Sequence, residues 1–313
     1  MSTRESAVNT DPRPRAGGFV QIRAFSKINL ILEVMGKRPD GYHNLRSVMQ
    51  TLALHDTITI TSAVPPNHQK QAGFTLTCSD PSLPTDHRNL VTKAATYMMQ
   101  AYNITNNIHI DLVKHIPQGA GLGGGSSDCG ATLTGINELF DLGIPLNGLI
   151  SIGQRFGADV PFCLQGGTAL AEGIGEILTP LPPHPHCWVV LACQRTEVST
   201  GEIFSKWIPE KTPTSNIPAM KKALQNGDLT QITDNFYNDL TSITAKKHNI
   251  YDLISEMNSQ GAIGAAMSGS GPTVFGYFTD KYTAEKAKRY MEKITGRAIF
   301  TEIIPKESLL GGR

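Results

Sequence analysis

No apolar run in this chain approaches the roughly 20 residues that a membrane-spanning helix needs. The longest, W-V-V-L-A-C at 188–193, reads as a buried strand. Residues 1–18 mix Arg, Pro, Ser and Gly without an apolar core, which excludes a secretory signal and reads as a disordered arm. Cysteines are few: Cys78, Cys129, Cys163, Cys187 and Cys193 are five, an odd number with no C-x-x-C pair. That pattern argues against a disulfide framework and a zinc site, and fits a reducing cytoplasm. An excess of one charge is missing too, since 28 Lys and Arg against 27 Asp and Glu leave a formal +1. Nothing chain-wide pulls toward nucleic acid or an anionic membrane, so neither partner is expected and any phosphate must be held by a local site. Solenoid repeats and coiled-coil heptads are absent.

What is present is an ordinary globular composition, 40% hydrophobic and 18% charged over 313 residues, enough for two cores. Segment 20–62 is β-rich, with V-Q-I-R-A-F, N-L-I-L-E-V-M and D-T-I-T-I-T-S expected as three strands of an antiparallel sheet. Residues 65–72 read as irregular, F-T-L-T-C as a strand, and Asn89 as the N-cap of a helix through Met99. N-I-H-I-D-L-V, from Asn107, alternates and leads into a glycine-rich loop. The helix expected at 126–140 puts Cys129, Leu133, Ile136 and Phe140 on one face. A second helix (147–156) and a strand, T-A-L-A-E, follow. Four prolines in T-P-L-P-P-H-P-H then mark a boundary, giving a first domain over 19–178, a second over 179–305 and a tail at 306–313. The second domain alternates W-V-V-L-A-C, a helix opened at Ser199 or Thr200, more helices to Ser259, P-T-V-F-G-Y-F, a helix carrying Ala287, Tyr290, Met291 and Ile294, and A-I-F-T-E-I-I. This predicts an α+β sandwich with helices on one face.

The segment 117–128, P-Q-G-A-G-L-G-G-G-S-S-D, holds five glycines within seven residues between a strand and an amphipathic helix. Glycines permit positive φ and close backbone approach, so successive N–H groups can converge on phosphate oxygens beside the positive end of the helix dipole. Ser126 is the expected cap of that helix, and Asp128, repulsive toward a polyphosphate, is read as a cap first. Gly119, Gly121 and Gly124 also fit G-x-G-x-x-G, but the loop lies mid-chain after antiparallel-looking strands, which argues against a dinucleotide fold. No G-x-x-x-x-G-K-[ST], H-R-D or D-F-G element is present.

Three motifs occur in order: S-K-I-N-L-I-L-E-V-M-G-K-R-P-D-G-Y-H at 26–43, the glycine loop, and S-G-S-G-P-T-V-F-G at 268–276. G-A-D-V-P-F at 157–162 and E-G-I-G-E-I-L-T-P at 172–180 join them. Together they resemble the GHMP small-molecule kinases, over essentially residues 25–276, and R-P-D-G-Y-H with G-L-G-G-G-S-S resembles the branch acting on a cytidine-diphosphate sugar alcohol in non-mevalonate isoprenoid synthesis. The resemblance implies a β-rich N-terminal α/β domain with a glycine-rich phosphate loop and a C-terminal ferredoxin-like α/β sandwich, working as a monomer or homodimer. It implies Lys27 and Asp159 as the catalytic pair, because a carboxylate can take the proton of an alcohol while an ammonium offsets charge on the transferred group.

By the same resemblance ATP binds along Pro117, Gly119, Ala120, Gly121, Leu122, Gly123, Gly124, Gly125, Ser126 and Ser127. Asn29, Tyr42, His43, Phe204, Gly269 and Gly271 take the acceptor, with Tyr42 and Phe204 on either face of a cytosine. Mg²⁺ is expected beside Ser126 or Ser127, its ligands unknown. Two departures stand out: A-F-S-K-I-N-L where the family has A-P-A-K-I-N-L, and Cys129-Gly130 in place of paired alanines. Gly130 is expected to weaken its helix by about 1 kcal/mol relative to Ala. A kinase for another alcohol, such as homoserine or mevalonate, and a nucleotide-binding homologue without turnover are the rival readings.

Overall fold

In the computed structural model the alternation over 19–63 builds two long strands rather than three short ones, β1 (Phe19–Lys37) and β2 (His43–Ala63), paired antiparallel. V-Q-I-R-A-F and N-L-I-L-E-V-M are therefore one strand. Its backbone stays extended through Ser26, and three register shifts, at Phe25/Lys27, Asn29/Ile31 and Val34/Gly36, absorb the irregularities. The structure describes residues 14–15, 18–65, 73–196, 198–209 and 215–307. Most of the expected arm (1–13, 16–17), positions 66–72 of the irregular stretch and 308–313 of the tail lie outside the described residues.

The first sheet continues with β3 (Phe74–Cys78), parallel to β4 (Asn107–Val113), which pairs with β2. Between them runs α1 (Leu90–Ala101), capped by Asn89, whose side chain accepts from Val91 N–H at 2.9 Å. After the glycine loop comes α2 (Gly124–Leu139), starting two residues earlier than expected. Its N-cap is Gly123 at φ +73°, a conformation that suits glycine, so Ser126 lies inside the first turn and caps nothing. Cys129, Leu133, Ile136 and Phe140 are all fully buried against α1 and the sheet. Contact is close enough that a Cβ on Gly135 would sit 2.6 Å from Ile60 Cδ1. Then follow α3 (Leu146–Gly153), α4 (Val160–Gln165), β5 (Thr168–Glu172), paired with β2, and β6 (Ile177–Pro180), paired with β5. Gly130 faces α4, where a Cβ would make only ordinary contact, 3.4 Å from Leu164.

The second sheet opens with β7 (Trp188–Ala192). After it come α5 (Thr200–Ser205), α6 (Ile217–Asn226), α7 (Leu229–Asp234), β8 (Tyr237–Asn238), α8 (Thr241–Thr244) and α9 (Ile250–Ser259). The chain then forms β9 (Gly264–Met267), β10 (Val274–Phe278), α10 (Lys281–Thr295) and β11 (Ala298–Glu302). The strand order is β11-β7-β10-β9, all antiparallel, while β8 returns to the first sheet as a parallel neighbour of β1.

Alternation sorts the two faces of this second sheet. Val190, Ala192, Val274 and Phe278 pack under α9 and α10, whereas Val189, Leu191, Phe275 and Tyr277 face the other way. There they share one core with Ile28, Leu30 and Ile31 of β1 and with Met220 and Leu224 of α6. Each such side chain contributes about 1.5–3 kcal/mol on burial, so the two sheets are held as one body and the loops between them have fixed positions. Of the residues named for this last helix, Tyr290 and Ile294 are 37% and 48% exposed, while Ala287 and Met291, with Ala284, carry the burial of α10.

Candidate active site

Lys27 is aimed by a break in the β1–β2 ladder. Phe25 pairs with His55 but Lys27 with Thr51, so the intervening residues of β2 turn elsewhere: Leu52 bridges Ile303, and Leu54 N–H donates to Thr301 Oγ1 at 2.9 Å. Beside this break, Lys27 N–H donates to Leu122 O of the glycine loop at 3.0 Å. Its side chain passes beneath Gly123, where a Cβ would come within 3.0 Å of Lys27 Cγ. The ammonium donates to Asn29 Oδ1 at 2.8 Å and stands 3.3 Å from Asp159 Oδ2. Asn29 in turn donates to Ser47 Oγ (2.7 Å), and Ser47 to Ile31 O (2.7 Å). Asp159 occupies the N-cap position of α4 yet makes no side-chain cap bond. The Lys27 side chain is 5% exposed and that of Asp159 36%, so the carboxylate is the member an incoming hydroxyl meets first.

A cradle of main-chain N–H groups lies next to this pair. Gly123 offers α2 no side chain, and the N–H groups of Gly124, Gly125 and Ser126, in its first turn, have no intrahelical acceptor; Ser127 N–H goes to Gly123 O at 2.9 Å. Three donors and the helix dipole thus converge on one point. Gly121 (φ +74°) is required for a different reason: a Cβ there would stand 2.2 Å from Ser268 O, in the loop before β10, whose Ser268 Oγ donates to Gly121 O at 2.9 Å. The glycine loop is therefore braced by the second sheet.

Behind the cradle sits a buried ionic group that the motifs do not reveal. Lys114 Nζ donates to Asp56 Oδ2 (2.5 Å) and Asp128 Oδ2 (2.7 Å), and Asp56 Oδ1 accepts from the N–H groups of His115 (2.5 Å) and Ile116 (2.8 Å). Asp128 is thus no helix cap; it points inward and its Oδ1 has no partner among the described residues. Burial pushes its carboxyl up to about 7, with the Lys114 charge opposing. Burial works against the Lys114 ammonium too, but its two carboxylates hold it above the ordinary lysine value.

On the opposite wall His43 opens β2, its ring 5.5 Å from Phe204 and 5.9 Å, edge-on, from Trp207. Burial, helped by the Lys37 charge, lowers its pKa, so the imidazole is neutral near pH 7. Tyr42 beside it is 61% exposed. One cleft of about 890 Å³ joins this wall to Lys27, Asp159 and the cradle, within the range for a site that buries sizeable ligands.

Residues 89–167 match the model of the GHMP kinases N terminal domain and residues 220–297 that of the GHMP kinases C terminal. A protein of Lachnoclostridium phytofermentans named 4-diphosphocytidyl-2-C-methyl-D-erythritol kinase is 43% identical over 271 residues, 86% of this chain and 91% of the relative. The chain belongs to the GHMP kinase family. A Clostridium perfringens protein of the same name is 42% identical to this kinase over 87% of the chain and 93% of its own length. A crystal structure of 4-(cytidine 5'-diphospho)-2C-methyl-D-erythritol kinase superposes with a TM-score of 0.77 at 29% identity, covering 91% of this kinase and 99% of that chain. A homoserine kinase from Cytophaga hutchinsonii shares the fold, at TM-score 0.74, 19% identity and coverage of 94% and 96%.

The kinase cleft brings together most residues that the motifs single out. Lys27, Asn29, Tyr42, His43, Pro117, Gly119, Ala120, Gly121, Leu122, Gly123, Gly124, Gly125, Ser126, Asp159, Phe204 and Gly269 all border it. The Ala120 and Leu122 side chains, however, are buried in the core, which leaves their backbone for a ligand. Ser127 is not among them, because its hydroxyl is buried and donates to Phe25 O. Gly271 is also withdrawn; a Cβ there would meet Met267 Sδ at 2.5 Å. Of the departures from the family motif, Phe25 packs beside His55 at 5.2 Å, and Ser26 is buried with its hydroxyl unpartnered among the described residues.

Asp56 had a readable signal: it shares the strand parity of buried Ile58 and Ile60, so the alternation of D-T-I-T-I turns a charge inward. Lys114 follows Leu112 by the same count.

Proposed function

We propose that this chain transfers the γ-phosphoryl group of ATP to the 2-hydroxyl of 4-diphosphocytidyl-2-C-methyl-D-erythritol, releasing ADP and the 2-phosphate, in non-mevalonate isoprenoid synthesis in the cytoplasm. The observation that carries this reading is the Lys27–Asp159 pair, 3.3 Å apart, set between an N–H cradle and an aromatic wall in one cleft. The half-exposed Asp159 carboxylate accepts the hydroxyl proton as the acceptor oxygen bonds the γ-phosphorus and the bond to the β,γ-bridging oxygen breaks. Lys27, anchored by Asn29, pairs with Asp159 and offsets charge on the moving phosphoryl group. The N–H groups of Gly124, Gly125 and Ser126 hold the β- and γ-oxygens. Tyr42, His43 and Phe204 receive the cytosine, and the neutral His43 ring supplies one donor and one acceptor.

The residues also fit Mg²⁺. Ser126 Oγ borders the cleft without a hydrogen-bond partner among the described residues, and no trio of His, Cys, Asp or Glu among them competes for a softer ion. Ser126 would hold Mg²⁺ together with nucleotide oxygens, and the bound ion neutralises charge on the phosphates.

Release of ADP by purified protein, measured with the cytidine-diphosphate polyol, homoserine and mevalonate, tests the reading. Turnover of the first alone is expected. Preference for either of the others would reject it, and ATP binding without turnover of any alcohol would favour a non-catalytic homologue.

A further inference from the structure

The loop between β9 and β10 has its backbone carbonyls held from behind. Asn238 Nδ2 donates to Met267 O and to Gly269 O, each at 2.8 Å, Gly271 N–H donates to Ser268 O at 2.9 Å, and Thr244 Oγ1 to Ser270 O at 3.0 Å. Four successive carbonyl groups are thus engaged. In a planar trans peptide the N–H points opposite to the C=O of the same unit. Holding Gly269 O toward Asn238 therefore turns Ser270 N–H the other way. Neither that group nor Gly269 N–H has an acceptor among the described residues, and Gly269 and Ser270 border the cleft whereas Asn238 does not.

The free side of this loop lies against the reacting groups. A Cβ on Gly269 would stand 3.1 Å from Gly121 O and 3.5 Å from Asn29 Oδ1, the atom that takes the Lys27 ammonium. Asn238 itself is fixed in one orientation: its Oδ1 accepts from Leu240 N–H at 2.9 Å, which leaves Nδ2 for the two carbonyls. It belongs to β8, whose Tyr237 and Asn238 pair with Ile31 and Leu32 of β1, and the next residue, Asp239, accepts from Val34 N–H at 2.6 Å. Two residues that stay out of the cleft thereby set the loop against the strand that carries Lys27 and Asn29.

We infer that Asn238 is a positioning residue for phosphoryl transfer, holding the loop so that the N–H groups of Gly269 and Ser270 donate to phosphoryl oxygens as the group passes from nucleotide to acceptor. The inference rests on the kinase reading of the cleft. Charge spreads over the oxygens of the transferred group in the transition state, and donors already aimed there lower the barrier because nothing has to reorient during the step. Donors that gain strength only in the transition state act on kcat and leave both KM values alone.

The test uses Asn238→Asp and Asn238→Ala with ATP and the cytidine-diphosphate polyol. Asn238→Asp keeps the side-chain shape and the bond from Leu240 but sets carboxylate oxygens against two carbonyls. At about pH 8 its kcat should fall roughly 10–100-fold, with KM for ATP and for the acceptor within about threefold of wild type. A carboxyl facing two carbonyl oxygens is favoured in its protonated form, and once protonated it donates again. The ratio of its kcat to that of wild type should therefore rise severalfold between about pH 8 and about pH 6, whereas Asn238→Ala should be impaired at every pH. A flat ratio for Asn238→Asp would overturn the inference. So would Asn238→Ala with kcat within about twofold of wild type, or a loss carried by the two KM values.

A second variant guards against misfolding. Thr244→Val releases Ser270 O without changing side-chain volume and should show the same fall in kcat at constant KM on a smaller scale; full activity, or raised KM values, counts against the inference. If wild type binds ATP yet phosphorylates no alcohol, the kinase reading itself falls, a result distinct from transfer that survives Asn238→Ala.

Discussion

On the proposed reading, the two walls of the cleft recognise by opposite means. The phosphate wall is backbone, the N–H groups of Gly124, Gly125 and Ser126 stiffened by Lys114, Asp56 and Asp128 behind them. The acceptor wall is side chain, Tyr42, His43 and Phe204, with Trp207 behind. Main-chain donors bind any polyphosphate tail and discriminate little. Rings and an imidazole edge discriminate. Only the Lys27–Asp159 pair belongs to both walls.

That division predicts how damage should separate. The largest effect belongs to the shared pair: Asp159→Asn is expected to lower kcat by about 10²–10⁴-fold, the usual worth of a general base, while KM for ATP stays within about twofold. Lys27→Ala should do likewise, and single-turnover measurements showing normal chemistry in either variant would break the scheme. Next comes Gly121→Ala. With φ +74° and a Cβ 2.2 Å from Ser268 O, it should cost about 1–3 kcal/mol of stability and raise KM for ATP but not for the acceptor. Gly125→Ala, whose nearest neighbour is 3.9 Å away, serves as its control, with a melting temperature near wild type.

Tyr42→Ala should do the reverse of Gly121→Ala. Lost stacking worth about 1–3 kcal/mol would raise KM for the acceptor roughly tenfold and leave nucleotide affinity intact by calorimetry. The smallest effect is one of pH. His43 has its pKa lowered below the ordinary 6.5, so it stays neutral through that value, and KM for the acceptor should rise only in still more acid solution. A rise already complete at pH 7 would place a charged imidazole in the ground state and remove it as an acceptor of hydrogen bonds.

How much of this was readable beforehand follows the range of the forces. Asn89 as a cap, β3, β4 and the buried face of α2 were legible because neighbouring residues decide them. The union of two expected strands in β1 was not, since what matters at Ser26 is where Leu122 O and β11 lie. Asp128 was misread as a cap because its partners are 14 residues away for Lys114 and, through that lysine, a further 58 for Asp56. The withdrawal of Ser127 and Gly271 follows from single contacts, to Phe25 O and Met267, that no local pattern encodes.

The ladder break at Ser26 ties the timing of activity to the making of the chain. The residue that completes the gap in β2, Thr301, lies 247 positions beyond Leu54, and Ser268, which braces Gly121, lies 147 beyond it. A ribosome-bound chain that has extruded its glycine loop and Lys27 still lacks both supports. Such a chain should not hydrolyse ATP, and stalled intermediates released before and after residue 303 would reveal whether the enzyme stays silent until its far strand arrives.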